Sequence, residues 1–529
     1  MTVQEKIRNN KTYLGIEFGS TRIKAVLIDD SFAPVAAGSH EWENRFENGV
    51  WTYPLEDIIG GLQHCYAELI ADVKEKYGVI PESYGGMGIS GMMHGYMAFD
   101  KDDNLLVPFR TWRNTITEQA ASELSGLFGF NIPQRWSIAH LYQAVLNKEE
   151  HISGIVHINT LAGYIHYRLT GSRTVGVGEA SGIFPIEKGG YNKEYLDKLD
   201  LLLKEKNFSG NIREILPSVL SAGEGTAALT ESGARLLDPT GALKAGVRLC
   251  PPEGDAGTGM VATNSVLPKT GNVSAGTSIF AMLVLPEPLK GYYPEIDVVT
   301  TPDGSPVAMV HCNNCCSELD AWVKVFGEFA ALCGKAMDKS ELYELLYRNA
   351  LTGNADCGGT VAYNFLSGEP VAGAEKGRPM YFRTPGGSFS LANFFRAQLY
   401  SSMAALKLGM DILFEKENVS VERITGHGGL FKVQGVAQQF LADGLGSPVS
   451  VMKTAGEGGA WGMALLAAYA ADGKGRSLPE FLENEVFSSM EAVTVMPDEK
   501  GAAGFSAFIA NYKKGLAAEY AAAHDLTSE

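Results

Sequence analysis

The sequence predicts an α/β protein with a duplicated plan, and two observations carry this prediction. First, YLGIEFGSTRIKAVLID over residues 13–29 has the pattern of a β-hairpin, and GNVSAGTSIFAMLVL over residues 271–285 repeats that plan about half a chain later. Second, the segment over residues 424–473 alternates strand, glycine-rich turn and helix. Such alternation is typical of an α/β domain. We therefore expect two related α/β domains.

Length and composition set the class of protein. A chain of 529 residues with 45% hydrophobic and 20% charged residues favours two or more globular domains. A net charge of −17 argues against nucleic acid or an anionic membrane as a partner. The start has no apolar signal region, and no later run approaches the roughly 20 apolar residues of a bilayer span. The seven cysteines, an odd number, do not suggest a disulfide framework. We expect a cytoplasmic protein, and a homodimer stays open.

The other elements follow from local patterns. The segment over residues 85–112 predicts a second hairpin with its turn at Asp100–Asn104. Helical spacing runs from residue 116 to 168 and should stop at Gly171, then recurs at Lys193–Glu205 and Ser390–Glu415. The strand VRLC should lead into a glycine-rich turn that holds Asp255, followed by a short helix of small residues.

Two turns with glycine and hydroxyl residues are candidate phosphate sites. Backbone N–H groups at Gly19-Ser20-Thr21 and Gly276-Thr277-Ser278 can form concave anion sites, to which Arg22 and Lys24 would add charge. Either turn alone could be structural, but two related turns favour phosphate binding. The sequence has no GxxxxGK[ST] and no GxGxxG after the first strand, which excludes the P-loop and Rossmann patterns.

Three polar residues each allow a structural and a functional interpretation. Asp255 could form an Asx turn or helix cap, or it could take a proton from a substrate hydroxyl. Glu17 ends a strand, where an unpaired charge is costly, and a carboxylate facing phosphates is a typical magnesium ligand, usually through water. His94, between Gly91 and Gly95, could be a buried histidine with local hydrogen bonds or a ligand for a polyol hydroxyl.

Two further motifs also leave alternatives. Cys312, Cys315 and Cys316 contain a CxxC spacing, but the chain has no second CxxC or HxxxH to complete a zinc site. Small residues that open a helix are the favoured interpretation of this cluster. Gly428 and Gly429 form a tight turn between strand and helix, or a flat seat for a nucleotide.

In order and spacing, these motifs resemble the FGGY family of carbohydrate kinases from about Thr12 to Gly473. The opening hairpin is similar to the family's first phosphate motif, and SAGTSIF to its second. ISGMMHGYMAFDKDDNLLVPF resembles the sugar-binding hairpin in the Met-His-Gly form of xylulokinases, and EGDAGTGM the stretch with the catalytic aspartate. Three further parts of the chain are similar to stretches of the family. They are YRLTG with EASG, NFLSGEP, and GGLFKVQGVAQQFLADGLGSPV with EGGAWGMALLA, and the last pair resembles the adenosine motif.

The resemblance implies two RNase H-like domains of the actin-like ATPase type, with a catalytic cleft between them. The N-terminal FGGY domain would span residues 10–258 and the C-terminal one residues 259–520. By matching motifs, the resemblance assigns catalysis to Asp255 and Mg²⁺ binding, through water, to Glu17 and Asp255. It assigns sugar binding to Met93, His94, Trp112, Arg113 and Asn114. It assigns nucleotide binding to Gly19, Ser20, Thr21, Lys24, Gly276, Thr277, Ser278, Gly428, Gly429 and Lys432.

The implied activity is ATP- and Mg²⁺-dependent phosphorylation of the terminal hydroxyl of a ketose, with Asp255 as general base. The chain departs from the family at Glu17, where aspartate is usual, at TWRNTIT, which lacks an aspartate, and at Ala256, where xylulokinases often have a polar residue. Kinases for ribulose, rhamnulose, fuculose or erythritol are alternatives. An actin-like ATPase that binds a protein partner and a zinc-binding module are the other classes.

Overall fold

In the computed structural model, residues 1–225, 227–452, 458–473 and 475–526 are described. The chain forms two compact units, each assembled from three segments. Unit 1 contains Met1–Val266, Val298–Val307 and Glu457–Ser489, and unit 2 contains Leu267–Asp297, Ala308–Gly456 and Met490–Glu529. The predicted domain ranges of 10–258 and 259–520 stay predictions.

The first chain segment contains the following elements. Its strands are β1 (Thr12–Phe18), β2 (Arg22–Asp29), β3 (Pro34–Glu41), β4 (Arg45–Glu47), β5 (Val50–Thr52), β6 (Gly86–Gly91), β7 (Met97–Phe99), β8 (His157–Asn159), β9 (Thr174–Gly176), β10 (Ile186–Glu187), β11 (Gly190–Tyr191), β12 (Ser218–Leu220), β13 (Ala227–Ala228), β14 (Arg248–Leu249) and β15 (Glu253–Gly254). Its helices are α1 (Val3–Arg8), α2 (Leu55–Tyr77), α3 (Glu118–Phe128), α4 (Ser137–Asn147), α5 (Leu161–Thr170), α6 (Val177–Ala180), α7 (Lys193–Glu205), α8 (Ile212–Ile215), α9 (Glu231–Leu237) and α10 (Asp255–Ala262).

The remainder of the chain contains the other elements. Its strands are β16 (Thr270–Ala275), β17 (Ile279–Val284), β18 (Asp297–Thr300), β19 (Pro306–Cys312), β20 (Thr360–Tyr363), β21 (Met380–Arg383), β22 (Arg423–His427), β23 (Val449–Met452) and β24 (Ala492–Val495). Its helices are α11 (Cys316–Leu332), α12 (Lys339–Ala350), α13 (Leu391–Asp411), α14 (Val436–Leu445), α15 (Gly458–Asp472), α16 (Leu478–Phe481) and α17 (Glu499–Asp525).

Unit 1 is organised around a mixed sheet with the strand order β13-β14-β6-β1-β2-β3, in which β15 also pairs with β6. Strands β1, β2 and β3 are antiparallel neighbours, whereas β6 runs parallel to β1. The inward faces of β1 and β2 supply Leu14, Ile16, Phe18, Ile23 and Ala25 to a core that α2 and α5 complete. The antiparallel β1–β2 pair confirms the predicted first hairpin.

Unit 2 repeats this arrangement around its own sheet. Strands β16 and β17 form an antiparallel hairpin, and β22 runs parallel to β16 with β23 parallel beside it. This is the relation that β1, β2 and β6 have in unit 1. Long helix α13 lies almost entirely in the core of this unit, with Phe395, Leu399, Tyr400 and Leu406 fully covered. The repeated hairpin in the sequence therefore corresponds to a repeated fold.

Several boundaries follow the local signals. Helix α5 ends at Gly171 in a left-handed cap with φ 76°, as predicted, and α7 spans Lys193–Glu205 behind an Asn192 cap. One prediction is wrong: after the Asp100–Asn104 turn, the chain makes only isolated bridges at Leu105 and Arg110 instead of a second strand. A proline between them, Pro108, cannot donate to a strand ladder, which explains the loss.

The glycine turn predicted between β23 and α15 falls on residues 453–457, which lie outside the described residues. Within the described ranges, no helix is both long enough and apolar enough to cross a membrane.

Candidate active site

Asp255 is held at the junction of β15 and α10 in unit 1. Strand β15 runs parallel to the end of β6, so the chain beyond β6 comes close to the start of α10. The N–H groups of Met93 and Ala256 donate to Asp255 Oδ1 at 3.2 Å and 2.9 Å. Burial raises the pKa of Asp255, while these N–H groups lower it. The carboxyl is thus oriented by the backbone, and Gly254, not Asp255, is the helix cap.

Glu17 lies near the end of β1, opposite Lys24 of β2 and Ser90 of β6. Its Oε2 accepts a hydrogen bond of 3.2 Å from the N–H of Ala460, in the first turn of α15. Burial and, to a smaller extent, the charge of Asp255 raise the pKa of Glu17 to about 7, against the opposing effects of the Ala460 N–H and Lys24. Glu17 and Asp255 are therefore close enough for their charges to interact.

The two carboxyls fit a magnesium ion better than zinc. Their donor atoms are all oxygen, the type Mg²⁺ prefers, and a cation would relieve the repulsion between the two carboxylates. Among the described residues, no group of three or more His, Cys, Asp or Glu side chains is arranged to hold a metal ion. An ion held by one or two carboxylates and several waters, as Mg²⁺ usually is, matches this donor set.

The Gly19-Ser20-Thr21 turn is anchored through its carbonyl groups. Trp42 Nε1 donates to Gly19 O at 2.8 Å, Tyr53 Oη donates to Ser20 O at 2.6 Å, and the Trp42 N–H donates to Thr21 O at 3.2 Å. The Trp42 and Tyr53 rings stack with centroids 4.1 Å apart. The side chains of Ser20 and Thr21 are exposed. This arrangement leaves a rigid turn with hydroxyl groups on its open side.

His94 follows Met93 beyond the end of β6 and has an unusual backbone conformation. Its φ is 71°, in the left-handed region that few non-glycine residues adopt, and the residue is 6% exposed. Its Nδ1 lies 3.2 Å from Gly182 O, and its ring is nearly parallel to that of Trp136. Gly182 and Trp136 therefore fix the imidazole of the residue that follows Met93, whose N–H binds Asp255.

The loop with Trp112, Arg113 and Asn114 contains one buried side chain and two that contact solvent or a neighbouring ring. Asn114 is buried, and its amide binds the backbone of Trp51 at 2.9 Å and 2.8 Å and that of Thr111 at 2.9 Å. The Arg113 guanidinium lies 3.9 Å from the centre of the Trp51 ring, and Trp112 is 38% exposed. Asn114 thus fixes the loop that displays Trp112 and Arg113. A role of these residues in sugar binding stays a prediction.

In unit 2, the Gly276-Thr277-Ser278 turn is anchored like its counterpart. The N–H groups of Cys315 and Cys316 donate to the carbonyls of Thr277 and Gly276 at 2.9 Å and 3.0 Å. Cys316 begins α11, so this cluster opens a helix as expected. A hydrogen bond with Cys316 and burial hold the pKa of the Cys315 thiol well above its usual value, which disfavours the thiolate that zinc requires. The zinc alternative therefore gains no support from the described residues.

Gly428 and Gly429 lie beside the same turn. Strand β22 is in register with β16 up to the Ser274–His427 pair, so the glycines adjoin the end of β16. Gly428 has a φ of 99°, and a Cβ there would overlap the carbonyl oxygen of Ala275. Only glycine fits this position. Lys432 is exposed one residue after the short 3₁₀ turn Gly429–Phe431.

Two buried carboxyls near Asp255 were missed by the sequence interpretation. Glu179 and Glu253 are 0% and 1% exposed, and Glu253 Oε2 accepts the Glu179 N–H at 2.9 Å. Burial raises the pKa of Glu253 to about 8 and that of Glu179 well above its usual value. The signal available in the sequence was a glutamate among small residues in each of GVGEASG and PPEGDAG.

Comparisons with known proteins agree with this fold. The model of the FGGY family of carbohydrate kinases, N-terminal domain, matches residues 12–242, and that of the C-terminal domain matches residues 271–471. The chain is 24% identical over 478 residues to a xylulose kinase from Haemophilus influenzae, covering 88% of this chain and 91% of the relative.

Two solved structures share the fold along nearly the whole chain. Xylulose kinase from Lactobacillus acidophilus, with bound ligand, has a TM-score of 0.78 and 18% identity, covering 98% of this chain and 100% of that one. Gluconate kinase from the same organism has a TM-score of 0.77 and 18% identity, covering 98% and 99%. Together with both family-model matches, these findings show that the chain belongs to the FGGY family of carbohydrate kinases, which use ATP to phosphorylate sugars.

Proposed function

We propose that this kinase phosphorylates the terminal hydroxyl of a ketose, with xylulose as its substrate. The single observation that carries the proposal is the hydrogen bond from the Met93 N–H to Asp255 Oδ1. It joins the Met-His-Gly segment, which resembles the sugar-binding hairpin of xylulokinases, to the aspartate that would do the chemistry. The xylulose kinase from Haemophilus influenzae supports the choice of sugar.

Asp255 is the general base in this proposal. It accepts the proton of the sugar hydroxyl while the hydroxyl oxygen attacks the γ-phosphate of ATP. The N–H groups of Met93 and Ala256 fix one carboxyl oxygen, which leaves the other to face the substrate. The raised pKa of Asp255 makes its carboxylate a better proton acceptor than an exposed aspartate. Met93 and His94 contact the sugar in this proposal. Trp112 and Arg113 enlarge the sugar-binding surface, and Asn114 holds the loop that carries them.

Glu17 and Asp255 would hold Mg²⁺, through its water ligands. When bound, the ion supplies positive charge that stabilises the phosphate groups of ATP. Glu17 contributes a carboxylate whose position is set by the Ala460 N–H. Because its pKa is raised to about 7, Glu17 binds a cation most readily at neutral to alkaline pH, where it is ionised.

The two anchored turns bind the nucleotide in this proposal. In unit 1, Gly19, Ser20, Thr21 and Lys24 contact phosphate oxygens, since the turn offers hydroxyl groups on its open side. In unit 2, the corresponding residues are Gly276, Thr277, Ser278, Gly428, Gly429 and Lys432. The close fit of Gly428 against Ala275 supports this assignment, because a flat surface free of side chains suits a bound adenosine.

A coupled assay of ADP formation with a panel of sugars tests the proposal. The panel contains xylulose, ribulose, rhamnulose, fuculose, erythritol and gluconate, each with Mg²⁺ and ATP. We expect ADP formation to depend strictly on added sugar, with the highest kcat/KM for xylulose. A higher kcat/KM for another member would move the substrate assignment to that sugar. ADP formation that no sugar stimulates would contradict the proposed function and favour the ATPase alternative.

A further inference from the structure

Glu179 is a buried side chain that the mechanism above does not use. It lies in α6, a single helical turn between the small residues Gly178 and Ala180, and it is 0% exposed. Its backbone is fixed, since Glu253 Oε2 accepts its N–H and its own carbonyl accepts the N–H of Gly182. The fold thus fixes the backbone position from which this buried carboxyl group projects.

The carboxyl of Glu179 lies beside the residues assigned to catalysis and sugar binding. A Cβ on Gly254, the neighbour of Asp255, would come within 2.6 Å of Glu179 Oε2 and 3.0 Å of Met93 Sδ. The charge of Asp255 also acts on the Glu179 carboxyl. Three residues further along, Gly182 adjoins the imidazole of His94, with its carbonyl 3.2 Å from Nδ1. The α6 segment therefore borders the same space as Met93, His94 and Asp255.

Neither carboxyl oxygen of Glu179 has a hydrogen-bond partner among the described residues. The Thr160 hydroxyl lies near enough to lower the pKa of the group, but without hydrogen-bond geometry. The large majority of buried side-chain polar atoms in folded proteins have a hydrogen-bond partner, because an unsatisfied buried carboxyl is costly. A polar group on a molecule that binds at this place would satisfy both oxygens.

We propose that Glu179 is a sugar-binding residue, whose carboxyl exchanges hydrogen bonds with a hydroxyl of an uncharged sugar next to Asp255. This inference rests on the proposed placement of the sugar at Asp255 and His94. A carboxylate accepts a hydrogen bond from a sugar hydroxyl, and a protonated carboxyl both donates and accepts, so the side chain can pair with a hydroxyl in either form. A substrate carboxylate at this place would instead meet the acidic side chains of Glu179 and Asp255, which disfavours sugar acids.

Two substitutions separate this role from a structural one. Glu179→Met fills a similar volume without hydrogen-bonding atoms, whereas Glu179→Gln keeps one donor and one acceptor group. Steady-state kinetics with varied sugar and varied ATP, and thermal unfolding without sugar, are measured for each variant. Glu187→Gln is the matched control, since that glutamate is in the same unit with its side chain 53% exposed.

We expect Glu179→Met to raise the sugar KM by about tenfold or more, the effect of leaving a substrate hydroxyl unpaired. The ATP KM should not change. The Tm without sugar should rise, since an unsatisfied buried carboxyl is replaced by an apolar group of similar size. Glu179→Gln should keep a sugar KM close to that of the wild type and the Glu187→Gln control.

Every other outcome contradicts the inference. An unchanged sugar KM in Glu179→Met would show that the carboxyl meets only water, and an equal loss in Glu179→Gln would show that hydrogen bonding is not its role. A Glu179→Met variant that does not fold would show that the fold itself needs the carboxyl. If the wild type phosphorylates a sugar and a variant gives any of these results, only the inference about Glu179 is overturned. A wild type that phosphorylates no sugar overturns the proposed function and this inference together.

Discussion

Glu17 shows how the position of one side chain in a strand decides its chemistry. The residue faces Asp255 from the end of β1, and burial together with the Asp255 charge raises its pKa to about 7. A protein without a ligand would bear this cost for no benefit. The cost disappears when a cation binds, since the charged form is then the favoured one. The chain has glutamate where the resemblance to its family leads to an expected aspartate, so this carboxyl group reaches one methylene further.

The first prediction concerns that extra methylene group. Glu17→Asp draws the carboxylate back from its place beside the Ala460 N–H. We expect a severalfold rise in the Mg²⁺ concentration that gives half the maximal rate, with the sugar KM unchanged. The measurement is a Mg²⁺ titration at fixed ATP and sugar, with Glu41→Asp, a side chain that is 78% exposed, as control. An identical Mg²⁺ dependence in Glu17→Asp and the wild type would show that the extra length of the glutamate does not matter for metal use.

Glu369 in unit 2 gives a pH prediction that does not depend on catalysis. The side chain is 0% exposed and its Oε2 accepts from the N–H and Nδ2 of Asn314, at 3.2 Å and 3.1 Å. Burial nevertheless raises its pKa from 4.5 to about 7. Since the folded state binds the proton more tightly than the unfolded state, this group stabilises the fold below pH 4.5. That stability is lost as the pH rises through about 7.

Glu369→Gln should therefore be more resistant to unfolding than the wild type above pH 7, by an amount on the order of 3 kcal/mol. The difference between the two proteins should shrink as the pH falls towards 4.5. Thermal unfolding of both proteins over this pH range measures it. Glu375→Gln, an exposed glutamate in the same unit, should follow the wild-type profile throughout. A Glu369→Gln curve parallel to the wild type at all pH values would contradict the raised pKa.

At the scale of elements, the two hairpins share a construction that the sequence showed only in part. The glycine and hydroxyl residues of each turn are visible in the sequence, and both hairpins were predicted from them. Their anchors were not, because Trp42 and Tyr53 reach the first turn from elsewhere in the chain and α11 reaches the second through its backbone. A hydrogen bond donated by a backbone N–H cannot be recognised from the order of side chains in the sequence.

The contact between β16 and the turn after β22 gives a prediction at this scale. Gly428→Ala places a methyl group against the Ala275 carbonyl in a conformation that alanine rarely adopts. We expect the turn to shift and the ATP KM to rise by about tenfold or more, with the sugar KM little changed. Gly386→Ala is the control, since a methyl group there meets no atom within 4 Å. An ATP KM equal to that of the control would show that Gly428 is only a structural turn residue.

At the scale of the whole molecule, both units repeat one strand plan, although each is assembled from three separate chain segments. The repeat was predictable because both hairpins carry the same local pattern. The return of residues 458–489 to unit 1 was not, since α15 is an apolar helix whose sequence does not indicate its neighbour. The same limit applies to Glu179 and Asp255, which are far apart in the sequence and adjacent in the fold.

At this scale, the proposed activity depends on Asp255 as the general base of a sugar kinase. The most direct test compares kcat for sugar-dependent ADP formation between the wild type, Asp255→Asn and the control Asp102→Asn, whose aspartate is 63% exposed. Asparagine keeps the shape and the acceptor oxygen for the Met93 N–H, so the variant should fold. We expect kcat to fall by roughly 10² to 10⁴ in Asp255→Asn and to stay at the wild-type value in the control. A kcat within about tenfold of the wild type in folded Asp255→Asn would show that Asp255 is not the general base.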